Sequence, residues 1–579
     1  MKFKKIIASV SLLLAVSMFI GCGKGAGTAE DVDTAQNTPQ EKAQLADAVV
    51  TTYEATDMSD NPSQVTDRKD TLVIATDAFS EQFNPLFANS VYDQRVMDVM
   101  YRTFNGVDDE GEMTQTDLAE LPQVSDDNLT YTYKIKDNAN WSDGTPITTK
   151  DAELSIKIIC DESYDGEYDL ATGTTQIAGA KEYREGADSI SGIKIIDDKT
   201  MEITLEQVSS SAVYDLGGIL PIEYDYYSKY YTQGNLGEMK ETFLSPGPAS
   251  GPYKFVRYKT GEEFDLEAND KFYAGAPNIK NVVFKVTPAE TRLSILQSGG
   301  ADIGMQIKCD EDNIEEIQDV GFLGYVMYPD NGYGYIGFNL DKPVLQDKAV
   351  RQALAYGLDR EKITESVDGK YAKVINIPQT EASWTYSEVK NDYAFDLEKA
   401  KQILDDAGWV VGTDGIREKD GQKLAIHYTG TTGSKTTAAI IAVGTENYKE
   451  LGVDFTSEII DFPTVIEKLE SGDIETYCIG WSLSADPNSK SLFSSDGTYN
   501  YGHFTNEKLD EIYDKIQVEL DQEKQKELYA ELYDILNEEL PYIYMSQSYD
   551  MTAYNGRVKN LKESPYVPFT MNIQDITLE

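Results

Sequence analysis

From residue 71 to about residue 290 the chain sets short β-branched runs between polar turns, and beyond about residue 340 its apolar positions fall at helical spacing. Thr71-Leu-Val-Ile-Ala75 is a compact apolar run with polar flanks; it predicts a strand, and the folded body is expected to start there. Leu129 to Lys136 (LTYTYKIK) and Met201 to Leu205 (MEITL) alternate apolar and polar as half-buried strands do. Asn140 to Pro146 has the composition of a turn, after which Thr148 or Thr149 can cap a helix through the Ile158 region. Val282 to Val286 predicts another strand. It leads to a helix with Thr287 as cap, Pro288 at the first position, Glu290 completing a capping box and Gly299 as stop. Ala301 to Ile303 reads as a short strand and Tyr335 to Asn339 as a strand near a crossing between lobes. Helices are predicted over 347–357 and 360–368. Another runs from a cap at Asp396 to near Gly408, with Leu397, Ala400, Ile403, Leu404 and Ala407 on one face. Leu509, Ile512, Tyr513 and Ile516, then Leu528, Leu532, Tyr533 and Leu536, mark further helices; Pro541 stops the last and opens an extended apolar stretch to Met545. With 579 residues, mixed elements and no internal repeat, the chain reads as a multi-lobed α/β protein.

The first residues carry a different pattern. Lys2, Lys4 and Lys5 precede an apolar run from Ile6 to Ile20, too short to span a bilayer comfortably, and the run ends Phe19-Ile-Gly-Cys22. This resembles a lipoprotein export signal, which implies Cys22 as the lipid-bearing first residue of the mature chain, on the extracytoplasmic face of a bacterial cell membrane. Residues 22–69 are poor in large apolar side chains and read as a flexible tether, with a reach of about 40 Å as a coil.

Charge narrows the choice of partner. Lys and Arg number 51 against 100 Asp and Glu, a net charge of −49, which disfavours nucleic acid and leaves solubility as the plain reading. Four cysteines without a CxxC pair and only two histidines, His427 and His503, are too sparse for a Cys/His metal site, so no metal or cofactor is expected. Gly332-Tyr-Gly-Tyr-Ile-Gly337 matches GxGxxG formally, but the residues after it do not open a helix, so it reads as a glycine-rich turn and not a dinucleotide fingerprint. Nothing in the residues argues for an enzyme.

A series of blocks then occurs in order: Leu72-Val-Ile-Ala75 and Phe83-Asn-Pro-Leu86; Trp141 to Pro146 with Thr149-Lys-Asp151; Ser250-Gly-Pro-Tyr253, Asn269 to Tyr273 and Gly275-Ala-Pro277; Gly337-Phe-Asn339, Val350 to Leu354 and Asp359-Arg360; Asp396 to Trp409; Gly480-Trp481 with Asp486-Pro487; Asn500 to Asp510; and Pro541 to Tyr544. Together they resemble the family-5 extracytoplasmic solute-binding proteins of oligopeptide and dipeptide ABC transporters. The resemblance implies a bilobed α/β clamshell of the periplasmic-binding type, with an extra subdomain inserted in the first lobe. The expected organisation is signal 1–21, lipid-anchored linker 22–69, lobe I over 70–335 with the insert at about 111–244, lobe II over 336–542 and a return to lobe I over 543–579. It also implies a monomer that captures short peptides between closing lobes and delivers them to ABC permease subunits.

The same resemblance nominates contacts. Trp481 is the leading ligand residue. Peptide receptors often carry an aspartate three residues after it, paired with the ligand's α-ammonium; Ser484 stands there, and Asp486 is either its substitute or the structural aspartate of the Asp-Pro turn. Phe83, Asn84, Tyr253, Tyr335, Asn339 and Asn500 sit in blocks that face or flank the cleft, and Trp384 lies in a loop that could reach its wall. The Ser484 departure keeps a non-peptide solute, such as an oligosaccharide or a modified peptide, as the alternative; a surface hydrolase or chaperone stands behind it.

Overall fold

The computed structural model describes residues 50–579, so the export signal, Cys22 and most of the expected tether lie outside the described residues. The chain is already docked where the description begins. Thr51–Tyr53 pairs antiparallel with Leu323–Pro329, Val65 is fully buried, and Arg68 bonds Asp302 at 3.0 Å. The expected tether therefore does not reach residue 69: its last part is packed on lobe I, because the alternation Thr51-Thr-Tyr53 completes an open sheet edge and Val65 fills a hole beside Gly299.

Lobe I is built on a mixed sheet. The parallel strands Thr71–Thr76 and Asn281–Val286 lie at its centre, flanked by Glu263–Ala268 and Tyr253–Lys259 on one side and Ile303–Ile307 on the other. The expected helix after Val286 starts late. Thr287 continues the strand, its N–H donating to Thr76 O at 2.8 Å, and Pro288 is extended with φ −55° and ψ 140°. A short 3-10 turn over Ala289–Thr291 intervenes, and the helix runs Arg292–Gln297, with Gly299 beyond it at φ +76°. The strand read at Ala301–Ile303 is instead Ile303–Ile307. The insert adds an antiparallel sheet of Gln123–Val124, Thr130–Lys134, Thr200–Thr204 and Ile193–Ile195. Beside it packs the helix Thr149–Ile159, whose Asp151 accepts from the Thr148 N–H at 2.6 Å. Leu72 and Ile74 of the central strand share one continuous core with Tyr131, Trp141 and Ile203 of the insert, so insert and lobe form one packed body.

Lobe II has its own sheet, ordered Asp454–Ile460, Ala425–Thr431, Thr476–Ser482, Gly332–Phe338 and the first part of Tyr542–Asn555. The glycine-rich segment is thus strand throughout, not a turn; at Gly337 a side chain would run into the Tyr477 ring. The helices Lys348–Gly357, Arg360–Asp368 and Leu397–Asp406 cover one face, the last capped by Asp396, which accepts from the Lys399 N–H at 2.9 Å. Glu507–Val518 and Gln522–Glu539 cover the other, against a core rich in tyrosine.

The lobes are joined through the sheets themselves. Tyr542–Asn555 pairs with lobe II through Tyr542 to Ser546 and with lobe I through Tyr549 to Asn555. The other crossing, between Leu323–Pro329 and Gly332–Phe338, lies beside it, with Asp330 N–H donating to Ser548 O at 2.9 Å. Crossings confined to a few paired residues form a narrow hinge, and the remaining contact between lobes is free to open.

Candidate functional site

The seam between the lobes holds cavities at both ends. Near the hinge, about 290 Å³ is lined from lobe I by Asp77, Tyr92, Glu290 and Lys308, from lobe II by Asp368, Tyr371 and Lys435, and by Asp550. Its charges are largely answered within the protein: Asp77 pairs with the fully buried Arg292 at 2.8 Å, and the Lys308 and Lys435 charges oppose the burial that pushes Asp368 up to about 6.

Farther from the hinge, about 200 Å³ opens over lobe II, walled by Trp481, Ser484, Asp486, Tyr499, Pro378 and Gln379 among others. Trp481 reaches it from the strand Thr476–Ser482. It is 7% exposed and stacks on Tyr335 with centroids 6.3 Å apart; Tyr499 leans against it at 6.0 Å. Its buried indole N–H lies beside the Tyr542 phenol, whose pKa it helps to lower against burial. Ser484 donates to Asp486 O at 3.0 Å, so its hydroxyl is spent on the turn. Asp486 does double duty: Oδ1 accepts from the Asn488 N–H at 3.0 Å, shaping the Asp-Pro turn, while the carboxylate also meets Ser211 of the insert.

Residues of the insert lie close by across the seam without lining this cavity. Ala212–Gly217 presents Asp215, which burial and then the charge of Asp486 push up to about 7 against hydrogen bonds from Thr174 and Thr175. Glu167 is pushed up to about 7 by burial, and its charge helps raise the Tyr499 phenol across the seam.

At the hinge floor, Asp330 and Asp550 are both held above the usual carboxylate range by burial, Asp330 further by the charge of Asp550 and Asp550 opposed by Arg95. Glu563 is pushed up to about 7 by burial, with Arg95 and bonds from Thr552 and the Phe569 N–H opposing.

Of the residues nominated from sequence, the structure brings Trp481, Ser484 and Asp486 to the cavity. Trp384 packs edge-to-face on Tyr529 at 6.0 Å and lies beside Tyr214 of the insert, also at the seam. The others have structural work. Phe83 is fully buried among Phe79, Tyr258 and Phe264. Asn84 holds a turn through the Leu86 N–H and Thr242. Tyr253 donates to Ile279 O, Asn339 bonds Gly472 O and Ile474 O, and Asn500 bonds Ser494 O and Phe504 O. Tyr335 supports Trp481 from beneath, stacked also on Tyr542 at 4.0 Å. Their polar groups, apart from the Tyr335 hydroxyl, are bonded within the protein. Missed from sequence were Tyr499, Glu167, Asp215 and the hinge carboxylates, none of which sits in a recognisable motif.

Opposite the hinge, the lobes are hydrogen-bonded to each other directly. Gln517, on the helix Glu507–Val518, donates to Thr174 O at 2.7 Å and Ser209 Oγ at 3.0 Å, and its carbonyl accepts from the Ser210 N–H at 2.8 Å. The two lobes are thus in direct contact at this end of the seam. Gln517→Ala removes the side-chain bonds, each worth about 1 kcal/mol net, and is expected to shift the unliganded protein toward an open form. Small-angle scattering should then give a larger radius of gyration for the unliganded variant than for the unliganded parent; equal radii would show that the latch does not hold the lobes.

Known proteins share this architecture. The family described as bacterial extracellular solute-binding proteins, family 5 Middle, matches residues 114–503. The oligopeptide-binding protein AppA of Bacillus subtilis is 26% identical over 506 residues, 86% of this chain and 89% of its own. Heme-binding protein A of Haemophilus influenzae is 25% identical over 471 residues, 78% of this chain and 82% of its own. The solved structure of AppA from Bacillus subtilis in complex with a nonapeptide superposes with a TM-score of 0.72 at 24% identity, covering 88% of this chain and 99% of that one. At that identity the likeness speaks to the fold, a bilobed clamshell.

Proposed function

The chain belongs to the bacterial extracellular solute-binding proteins of family 5, and on that premise we propose that it is the extracytoplasmic receptor of an ABC importer, enclosing short peptides between its lobes. The observation that carries this is the enclosed seam, with Trp481 and Asp486 on one lobe, Asp215 and Glu167 on the other, a two-crossing hinge at one end and a latch at the other. Such a machine binds by population shift: a ligand touching both walls favours the closed state by its differential affinity for it. An extended peptide suits a wall that mixes polar groups and aromatic faces. Closure is then what the permease subunits read, with the protein as a monomer tethered through Cys22, which lies outside the described residues.

The test is native mass spectrometry of the purified chain, with release and sequencing of whatever co-purifies. Short peptides are the expected finding, together with a smaller radius of gyration with peptide than without. A single non-peptide compound would replace this reading by the second one, a receptor for another solute. That reading is favoured by the Ser484 hydroxyl being committed to its own turn, and by a relative named for heme. Catalysis has no support at the site: the relatives are named as binding proteins, and Cys309, the thiol that lines the hinge-side cavity, is pushed well above its ordinary value by burial.

A further inference from the structure

The contact that joins the lobes opposite the hinge has its polarity inverted. Interfaces bury apolar groups at the centre and leave polar ones at the rim. Here the centre is polar. Gln517 is 6% exposed and bonds Thr174 O and Ser209 Oγ. Ser209 and Thr175, both fully buried, share a hydrogen bond of 3.0 Å, and Ser211 takes one from Asn488 at 3.4 Å. The apolar side chains stand outside this contact. Val518, directly after Gln517 at the end of its helix, is 53% exposed, and Leu520 is 43% exposed. Val213, three residues after Ser210 on the insert, is 40% exposed. Leu520 lies between two inter-lobe bonds, since Gln522 beyond it donates to Glu112 of the insert at 2.7 Å.

These apolar groups gain no burial when the lobes touch. Exposed apolar side chains gathered along a packed contact mark a surface that a further body covers. Lobe II supplies Val518 and Leu520 and the insert supplies Val213, so the strip is continuous only while the lobes are joined. Its charges limit what that body is. Glu519, Asp521 and Glu523 on one side, with Glu206 and Glu112 on the other, outnumber Lys515 and Lys524. Lys524 Nζ lies 3.9 Å from both Glu519 and Asp521. An anionic lipid surface is repelled by such a rim, and so is a second copy of a chain with net charge −49. A protein surface with apolar knobs set among basic side chains is complementary to it.

We propose that Val213, Val518 and Leu520 form a docking strip for the extracytoplasmic face of the permease, assembled only when the two lobes touch. The open receptor carries the halves of the strip apart, so a permease that needs both discriminates against it by the contacts it loses. This rests on the reading of the chain as the receptor of an importer, and it adds the place where closure is read.

The experiment is site-specific photocrosslinking in the cells that make the full chain. The photoreactive residue p-benzoylphenylalanine replaces Val213, Val518 or, as a control, Val410. Val410 is 66% exposed and follows the helix Leu397–Asp406, on the opposite face of lobe II. Adducts are identified by mass spectrometry. Positions 213 and 518 are expected to capture the same polytopic permease subunit, and position 410 about tenfold less of it, the scale of one lost hot-spot contact. Leu520→Asp is expected to cut capture from position 213 by about the same factor, although the two residues lie on different lobes. Leu520 is exposed, so the variant should fold, and thermal unfolding checks that it does. Gln517→Ala should lower capture from both positions. Equal capture of the permease at 410 and 518, no protein adduct at 213 or 518, or adducts there between two copies of this chain would each overturn the strip and leave the importer reading standing. Capture undiminished by Gln517→Ala would overturn its dependence on closure. A membrane protein at both positions that is no transporter subunit would overturn the importer reading and the permease as occupant with it.

Discussion

Asp302→Ala is expected to cost about 3–5 kcal/mol of folding stability, the range for breaking a buried ion pair from one side. The side chain is wholly buried. Oδ1 accepts from Arg557 Nε at 2.9 Å and Arg68 Nη2 at 3.0 Å, and Oδ2 accepts from the Val73 N–H at 2.8 Å. Arg557 also donates to Arg68 O and Thr71 O. One carboxylate thus ties the segment entering lobe I, the central strand and the residue just past the hinge strand. Alanine would leave Arg557, 3% exposed, charged and without its counter-ion. Denaturant unfolding measures it; a loss below about 1 kcal/mol would mean that the carbonyls around Arg557 suffice, and that the carboxylate is no rivet. Asp302→Asn should fall between, since the amide keeps an acceptor but not the charge.

The same residue shows what a sequence does and does not disclose. The strand at Thr71 and the helix capped by Asp396 are local, written in β-branched runs and in a cap followed by apolar positions at helical spacing, and both form where the pattern puts them. The capping signal at Thr287-Pro288 was equally local and failed, because tertiary partners compete for it. The Thr287 N–H goes to Thr76, and its carbonyl goes to Arg292 Nη2 at 3.2 Å, so the chain stays extended until Arg292. Residues 50–69 looked like tether because composition does not reveal that an open sheet edge waits for Thr51 to Tyr53. The site was legible only where a residue type is rare. Tryptophan occurs at 4 positions, and Trp481 stood out; with 100 acidic residues, nothing marked Asp215 or Glu167 as the ones raised by burial at the seam. The blocks at Phe83-Asn84, Asn339 and Asn500 mark turns and core contacts that hold the lobes in shape, so they report the fold and not the ligand.

Asp330→Asn is expected to stabilise the unliganded protein at pH 8 and to change it little near pH 4. Asp330 sits at a crossing between lobes, facing Asp550 and near Tyr328, with the Asn331 N–H as its backbone donor; Arg95 acts on Asp550. Burial and the Asp550 charge raise it in the folded protein above the ordinary 3.8. Between that value and its raised one, the folded state holds a proton that the unfolded state has lost. The slope of stability with pH is therefore negative, and the group costs stability progressively as pH rises from about 4 through neutrality. Asparagine has the same shape, keeps a carbonyl for the Asn331 N–H and never ionises, so the cost disappears and the gain grows with pH. Thermal or denaturant unfolding of parent and variant at pH 5 and pH 8 decides it. A difference independent of pH would mean that Asp330 is ionised in the closed state without penalty, and a loss at pH 8 would mean that its charge is already answered, with Arg95 as the partner. Asp550→Asn should act the same way, and the double variant should gain less than the sum, because each removal relieves the repulsion felt by the other.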